Sequence, residues 1–386
     1  MGGIRMDITA IICEYNPFHN GHLYHLQTAR ALSGADAVVC VMSGNFVQRG
    51  EAAILNKYVR AKHAVMAGAD AVIELPTVFA TSNAELFAKG AIKLLSSIPA
   101  VETLCFGAEN VNKTAFTLAA RCLNDEPQEV SKQIKKLVDT GASYAKARAE
   151  AYAGFIPFDV LSSPNNILGV EYTRALLAYD SPIQILPIER KGAGYSDDVL
   201  KENYSSASAV RAALHQGKRP DGNLPDYVLN DLPKALETHL DVLEKYAVLS
   251  RTTKEIASVC DCTEGLENAF KKAAVFPAPL AQTLTSPRYT SSRIRRIALQ
   301  NLLKINEALI RESLTSSLYL RILAVKKERS DVLSALSEAS FPLITRAHDE
   351  NVLSGKAKEC FETDTFAEKV YSLLYPNKTK NKSIFI

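Results

Sequence analysis

Along the first two hundred residues, short unbroken apolar runs alternate with longer stretches in which apolar and polar positions recur at helical spacing. "DITAIICEY" reads as a buried strand and "HLYHLQTARALSG" as a helix closed by Gly34. "AVVCVMSG" predicts a second strand, "NKYVRAKHAVMAG" a helix closed by Gly68, and "AVIELP" a third strand ended by Pro76. "SNAELFAKGAIKLLSSI" predicts a helix capped by Ser82, and "ETLCFGAEN" a fourth strand. Residues 111–180 read as helical, with "SYAKARAEAYAG" the clearest segment. "PIQILPIERKG" predicts a fifth strand and "SSASAVRAALHQG" a short helix. Strands apolar throughout are buried on both faces, and strand–helix alternation at this spacing implies a parallel, doubly wound, Rossmann-like sheet.

The pattern breaks at "KRPDGNLPDYV" (218–228), where prolines and glycines cluster. The α/β domain is therefore expected over 1–217 and a mostly helical C-terminal domain over 218–386. Its helices are expected in "DLPKALETHLDVLEKYAVLS", "GLENAFKKAA", "SSRIRRIALQNLLKI", "LYLRILAVKKERSDVLSALSEA" and "TFAEKVYSLLY". The tail "PNKTKNKSIFI" is polar and basic, and is expected to be loose until its last three residues.

A hydrophobic fraction of 47% and a charged fraction of 23% fit a soluble globular protein rather than a disordered one. No apolar run reaches the roughly 20 residues of a membrane helix. The opening "MGGIRMDITAI" is too short in apolar residues for a secretory signal, and Met6 is a candidate start; the expected location is the cytoplasm. Seven cysteines at scattered positions read as buried free thiols, and the C-x-C of Cys260 and Cys262 lacks the further ligands zinc needs, so no metal site is expected. A net charge of +3 names no partner, and the oligomeric state is left open.

The chemistry concentrates in "EYNPFHNGHLYHL", residues 14–26, where the first strand turns into a helix and where three of the chain's seven histidines lie. Doubly wound folds bind ligands beyond the carboxyl ends of their strands. A helix N-terminus there holds phosphate through unpaired N–H groups and its partial positive charge. His19 and His22, three apart, share a helix face and can point at one phosphate group, and Gly21 lets the backbone come close. H-x-G-H at this junction, here "HNGH", is the signature of the nucleotidylyltransferase superfamily. A second element, "YSSASAVR" (204–211), supplies Ser206 and Ser208 to cap a helix and donate to phosphate oxygens, and Arg211 to pair with leaving pyrophosphate. Together they point to attack of a nucleophile on the α-phosphate of ATP, with Mg2+, in which the protein aligns reactants and neutralises charge. They leave the nucleophile open.

Beyond these two motifs, "MSGNFVQRGEAAILNKYVRAKHAVMAGADAVIELP", "FGAEN", "SPNNILGVEYTRAL" and "LPIERKGAGYSD" follow one another along the first domain. With "SPRYTSSRIRRIALQNLL" (286–303) the chain resembles the tRNA(Met) cytidine acetate ligase family over the whole first domain and into the second. The resemblance implies activation of acetate by ATP to acetyl-adenylate, then acetylation of N4 of the wobble cytidine of elongator tRNA(Met), without acetyl-CoA. It implies that Ile12, Cys13, Glu14, Tyr15, Asn16, Pro17, Phe18, His19, Asn20, Gly21, His22, Leu23, Tyr24 and His25 wrap the ATP, with His19 and His22 catalytic. Gly107 would admit the adenosine, and Asn165, Asn166 and Arg190 would contact the nucleotide.

Gln48, Arg49, Lys57 and Arg60 follow the second strand on the ligand edge and are candidates for acetate or tRNA, against the alternative of a solvated charged face. In the second domain Arg288, Arg293, Arg295 and Arg296 lie in a stretch without acidic residues, with Tyr289 interleaved and Ser291 and Ser292 able to cap the helix. Such a face suits an RNA backbone. Two other readings share the first domain: a small-molecule adenylyltransferase, and a non-catalytic RNA-binding protein that keeps the nucleotide pocket. Dependence of ATP turnover on acetate and on tRNA separates all three.

Overall fold

The computed structural model describes residues 6–142, 144–156, 160–161, 163–191, 200, 203–233, 239–375 and 384–386. β1 (Ile8–Cys13) leads into helix α1 (Asn20–Ser33), which returns through Gly34 to β2 (Ala37–Ser43). Gly34 ends α1 at φ 67°, a left-handed conformation that glycine adopts without strain, and its N–H closes on the Arg30 carbonyl. A small hairpin, β3 (Phe46–Val47) and β4 (Glu51–Ala52), precedes α2 (Lys57–Met66) and β5 (Ala71–Leu75). Helix α3 (Ala84–Ser96) leads to β6 (Val101–Ala108), and helix α4 (Pro164–Ala178) to β7 (Gln184–Glu189). The expected run of short apolar strands is thus present, and β2 and β5 are buried at every position.

With β8 spanning Leu320–Val325 and β10 spanning Ile384–Phe385, the sheet order is β10-β8-β5-β2-β1-β6-β7, and β9 (Leu343–Ile344) is attached to β8. From β5 to β7 all neighbours are parallel, so the chain winds outward one way from β1, then crosses back to β6 and winds the other way. The reversal lies between β1 and β6, and a ligand crevice opens there beyond the strand ends.

Two local expectations are corrected. The cap of α3 is Asn83, whose Oδ1 accepts the Leu86 N–H at 3.1 Å, while the Ser82 hydroxyl donates back to the Val78 carbonyl at 2.7 Å. "LYLRILAVKKERSDVLSALSEA" is not one helix. Its first part is β8, antiparallel to β5, and a helix starts only at Ser330. Leu320, Ile322, Leu323, Ala324 and Val325 form a near-continuous apolar run with both faces covered, the signature of an interior strand. The strand β10 (Ile384–Phe385) then pairs with β8 in parallel, while residues 376–383 of the tail lie outside the described residues.

Residues beyond 217 therefore serve two cores. Leu240–Ser250, Leu266–Ala273, Leu280–Leu284 and α6 (Ser291–Leu302) close around their own apolar cluster, with Val248, Phe270, Ile294 and Ile297 at its centre. β8 and the long helix α7 (Gly355–Leu374) instead join the main core. A buried ionic cluster stitches that junction. Lys57 Nζ reaches both oxygens of Glu74 at 2.6 Å and also Glu368 on α7, while Arg321 on β8 contacts Glu74 at 3.3 Å and Glu368 at 2.8 Å. Among the described residues no helix is long and apolar enough to cross a membrane.

Candidate active site

Helix α1 begins at His19, and its opening turn is built by imidazoles. His19 Nδ1 accepts the Gly21 N–H at 3.1 Å, and His22 Nδ1 accepts the His19 N–H at 3.3 Å, a reciprocal capping box made from two histidines. The rings stack with centroids 3.6 Å apart. Gly21 is required by this stack, because a Cβ there would lie 2.9 Å from His19 Cε1. Burial drives the protonation equilibria down. His19 falls to about 3, helped by the nearby charges of Arg190 and Arg211, and His25 falls to about 4 by burial and Arg190. His22 is held well below its ordinary value by burial, then by His19, Arg190 and His25. The pair is therefore neutral near pH 7. With each Nδ1 accepting a main-chain proton, the ring proton sits on Nε2, so both rings are hydrogen-bond donors on their free side.

Facing this turn across the crevice is α5 (Ala207–His215). Ser206 caps it, its hydroxyl accepting the Ala209 N–H at 3.0 Å. Arg211, one turn in, donates to the Asn16 carbonyl at 2.7 Å and lies 3.6 Å from Glu51 of the hairpin. Ser208 Oγ accepts from Arg49 of the same hairpin at 3.2 Å. Two helix N-termini, two neutral imidazole donors and a guanidinium thus converge on one cleft, an arrangement that suits a polyphosphate.

The cleft runs on toward β6 and β7. Gly107 is pressed against Arg190, whose Cγ would be 3.2 Å from an added Cβ. Arg190 Nη1 donates to Asn165 Oδ1 at 3.0 Å, and Asn165 donates to Glu109 at 2.6 Å. Phe106, Leu168, Tyr172 and Ile188 give this end an apolar wall. Lys191 lies over the Tyr24 ring at 4.4 Å; residues 192–199, the rest of the glycine-rich turn, are outside the described residues.

Of the residues singled out from sequence, Ile12, Cys13, Glu14, Tyr15, Asn16, His19, Gly21, His22, Tyr24, His25, Gly107, Asn165, Arg190, Ser206, Ser208 and Arg211 line this one cleft, with Gln48 and Arg49. Pro17, Phe18, Asn20, Leu23 and Asn166 stand behind the wall. Phe18 is core, packed edge-on to Tyr15. Asn20 clamps the loop that carries Ser206, donating to the carbonyls of Asn203 and Gly222. Asn166 is buried, and its Oδ1 accepts the N–H groups of Glu109 and Asn110, shaping the turn after β6.

Lys57 and Arg60 are fully buried and do not line the cleft. Lys57 belongs to the ionic cluster described above. Arg60 donates to the carbonyls of Leu55, Glu14, Ser43 and Gly44, and so ties together the carboxyl ends of β1 and β2.

The arginines of the stretch 286–303 meet acidic partners brought in by the fold. Thr290, not Ser291 or Ser292, caps α6, accepting from the Arg293 N–H. Arg288 pairs with Glu264 at 2.8 Å, and Tyr289 donates to the same carboxylate at 2.9 Å. Arg293 holds the Asp261 carbonyl at 2.7 Å and Arg296 lies 3.8 Å from the Asp261 carboxylate. Arg295 pairs with Glu51, so a single hairpin carboxylate touches Arg211 on one side and α6 on the other. Glu51 was not legible as a site residue: it sits among "RGEAA" without a motif, and its role comes from contacts across 160 and 244 residues of chain.

A family model described as HIGH Nucleotidyl Transferase matches residues 6–384. A tRNA(Met) cytidine acetate ligase of Thermoanaerobacter sp. (strain X514) is 38% identical over 391 residues, spanning 97% of each chain. That of Caldanaerobacter subterraneus subsp. tengcongensis is 37% identical over 400 residues, spanning 98% of each. Among solved structures, apo Thermotoga maritima TmcAL superposes with a TM-score of 0.91 at 29% identity, covering 99% of this chain and 100% of that one. The same Thermotoga protein bound with alpha-thio ATP gives 0.85 at 30% identity, covering 96% and 95%.

Proposed function

The chain belongs to the tRNA(Met) cytidine acetate ligase family, within the HIGH nucleotidyl transferases, and on that premise we propose how its cleft carries out the reaction. The protein is an ATP-dependent ligase that forms N4-acetylcytidine in tRNA. An acetate oxygen attacks the α-phosphate, pyrophosphate leaves, and acetyl-adenylate forms. The cytidine N4 of elongator tRNA(Met) then attacks the acetyl carbon and AMP leaves.

The observation that carries this reading is the stacked, neutral His19–His22 pair at the head of α1, with both Nε2–H donors free to meet phosphate oxygens as charge builds on them. Arg211 and the N-terminus of α5, with Ser206 and Ser208, take the departing pyrophosphate. Gly107, Asn165 and Arg190 hold the nucleoside end, with Phe106 and Tyr172 beside the base. Mg2+ accompanies the triphosphate: magnesium is commonly held by substrate phosphates and water with one or two carboxylates, which needs no dedicated cage of side chains. When bound, it neutralises phosphate charge. Among the four arginines, Arg288, Arg293 and Arg295 are the ones open enough to contact tRNA phosphates, while Arg296 braces α6 against Asp261. These three would exchange a carboxylate or carbonyl partner for phosphate.

The test is AMP formation from ATP and acetate, with and without total bacterial tRNA, followed by nucleoside analysis. AMP release that rises with tRNA, with N4-acetylcytidine appearing in the absence of acetyl-CoA, is the expected result. Turnover indifferent to acetate and tRNA would assign a small-molecule adenylyltransferase, and no turnover a binding protein.

A further inference from the structure

The transfer step requires a proton acceptor. The cytosine amine has its lone pair drawn into the ring, so it becomes acidic only as its bond to the acetyl carbon forms. That C–N bond forms while the bond from the acetyl carbon to the adenylate oxygen breaks; AMP takes the electron pair, and one N4 proton must go to a base.

The cleft offers few. His19 and His22 spend their Nδ1 lone pairs on main-chain N–H groups and carry their protons on Nε2, so they donate and cannot accept. His25 turns its Nε2 to Cys105 Sγ at 3.2 Å. Cys13 and Tyr15 are pushed up by burial and stay protonated. The carboxyls among the described cleft-lining residues are Glu14 and Glu189, and Glu189 sits exposed at the end of β7. Glu14 follows β1 directly, on the same loop as the histidine pair. One of its oxygens is fixed: Oε1 accepts the Gln48 N–H at 2.7 Å and lies 3.5 Å from Ser43 Oγ. Among the described residues the other oxygen has no hydrogen-bond partner, and it is not one of the buried polar atoms left without one, so it is open to the cleft that Glu14 lines.

We propose that Glu14 is the general base that removes the cytidine N4 proton in acetyl transfer; the assignment rests on the acetate-ligase reading above. Its electrostatic setting agrees. Burial lifts the carboxyl above its ordinary range, outweighing the Gln48 N–H and the charges of Arg211 from α5, Arg60 from α2 and Arg49 from the hairpin, which favour the charged form, and makes it a stronger base.

The test compares two half-reactions in Glu14→Gln, which keeps an oxygen acceptor for Gln48. Acetate-dependent ATP–pyrophosphate exchange reads adenylation, and single-turnover acetylation of tRNA by bound acetyl-adenylate reads transfer. Transfer is expected to fall about 10²-fold or more beyond any change in exchange, the usual reach of a general base. Equal losses in both, or intact transfer, would overturn the assignment. A second readout covers a variant that fails to fold: transfer by the natural protein should decline as pH falls through a single ionisation above the ordinary glutamate range, and a profile flat from about pH 8 to 5 would overturn it. If the natural protein shows no acetate-dependent exchange at all, the acetate-ligase reading fails instead.

Discussion

His19 and His22 stack face to face, ring planes 23° apart, and each has its tautomer fixed by a main-chain N–H of the same helix turn, that of Gly21 for His19 and that of His19 for His22. Binding and folding are therefore coupled at this pair, and substitutions can separate them. His22→Ala removes a phosphate donor and should lower acetate-dependent pyrophosphate exchange about 10²- to 10³-fold, as loss of one preorganised donor does elsewhere. His19→Asn keeps a side-chain cap and should lose comparable activity with little change in melting temperature. His19→Ala should lose the activity and about 1 kcal/mol of stability as well. Calorimetry beside the exchange assay distinguishes them, and equal melting of the two His19 variants would refute the capping role.

Acid should destabilise the protein before carboxylates explain it. The sign follows from the lowered values: a histidine that ionises near 6.5 when unfolded but at about 3 or 4 when folded binds protons more readily in the unfolded state. Stability is complete above about pH 6.5 and drains away as pH falls toward 4. For His25 alone the loss is on the order of 3 kcal/mol by pH 4. Denaturant titrations from pH 7.5 to about 4.5 should show a falling midpoint, and His25→Asn should flatten that slope.

Gly50 should tolerate no side chain. It sits at φ 73°, and a Cβ would come within 2.5 Å of the Arg295 carbonyl carbon and the Arg296 nitrogen, both backbone of α6. This is where the hairpin that holds Glu14 and Arg211 rests on α6. Gly50→Ala should cost about 1–3 kcal/mol through strain and displacement. It should also reduce tRNA acetylation more than pyrophosphate exchange. A variant with normal melting and normal transfer would show that the hairpin contact is dispensable.

The sequence announced the parallel strands because burial on both faces leaves short continuous apolar runs, here alternating regularly with helical segments, and it announced "HNGH" because a helix cap must be local. What it hid is long-range. Glu51 and Asp261 neutralise arginines far away in the chain, so the basic stretch 286–303 looked bare. "LRILAV" reads as helix because it is short and apolar in a helical neighbourhood, and only the partner strand β5 makes it β8. Lys57 and Arg60 read as candidates for acetate or tRNA, or as a solvated face, since nothing local to them shows that Glu74, Glu368 and strand-end carbonyls surround them.

Lys57 gives the sharpest stability test. Its ammonium, fully buried, is shared between Glu74 and Glu368, and Arg321 alone would have to balance both carboxylates if it were removed. Breaking a buried ion cluster from one side leaves uncompensated charge, which costs about 3–5 kcal/mol. Lys57→Met should therefore lower stability by roughly that amount, with the loss easing at acid pH as a stranded carboxyl takes up a proton. Because the cluster joins α2, β5, β8 and α7, the penalty should fall on the docking of α7 as much as on the sheet. Hydrogen exchange should show α7 opening first, at a lower free energy than α1. If exchange in Lys57→Met rises equally everywhere, the cluster stabilises the fold only globally; if denaturant stability is unchanged, the pair contributes nothing and the ionic stitch is refuted.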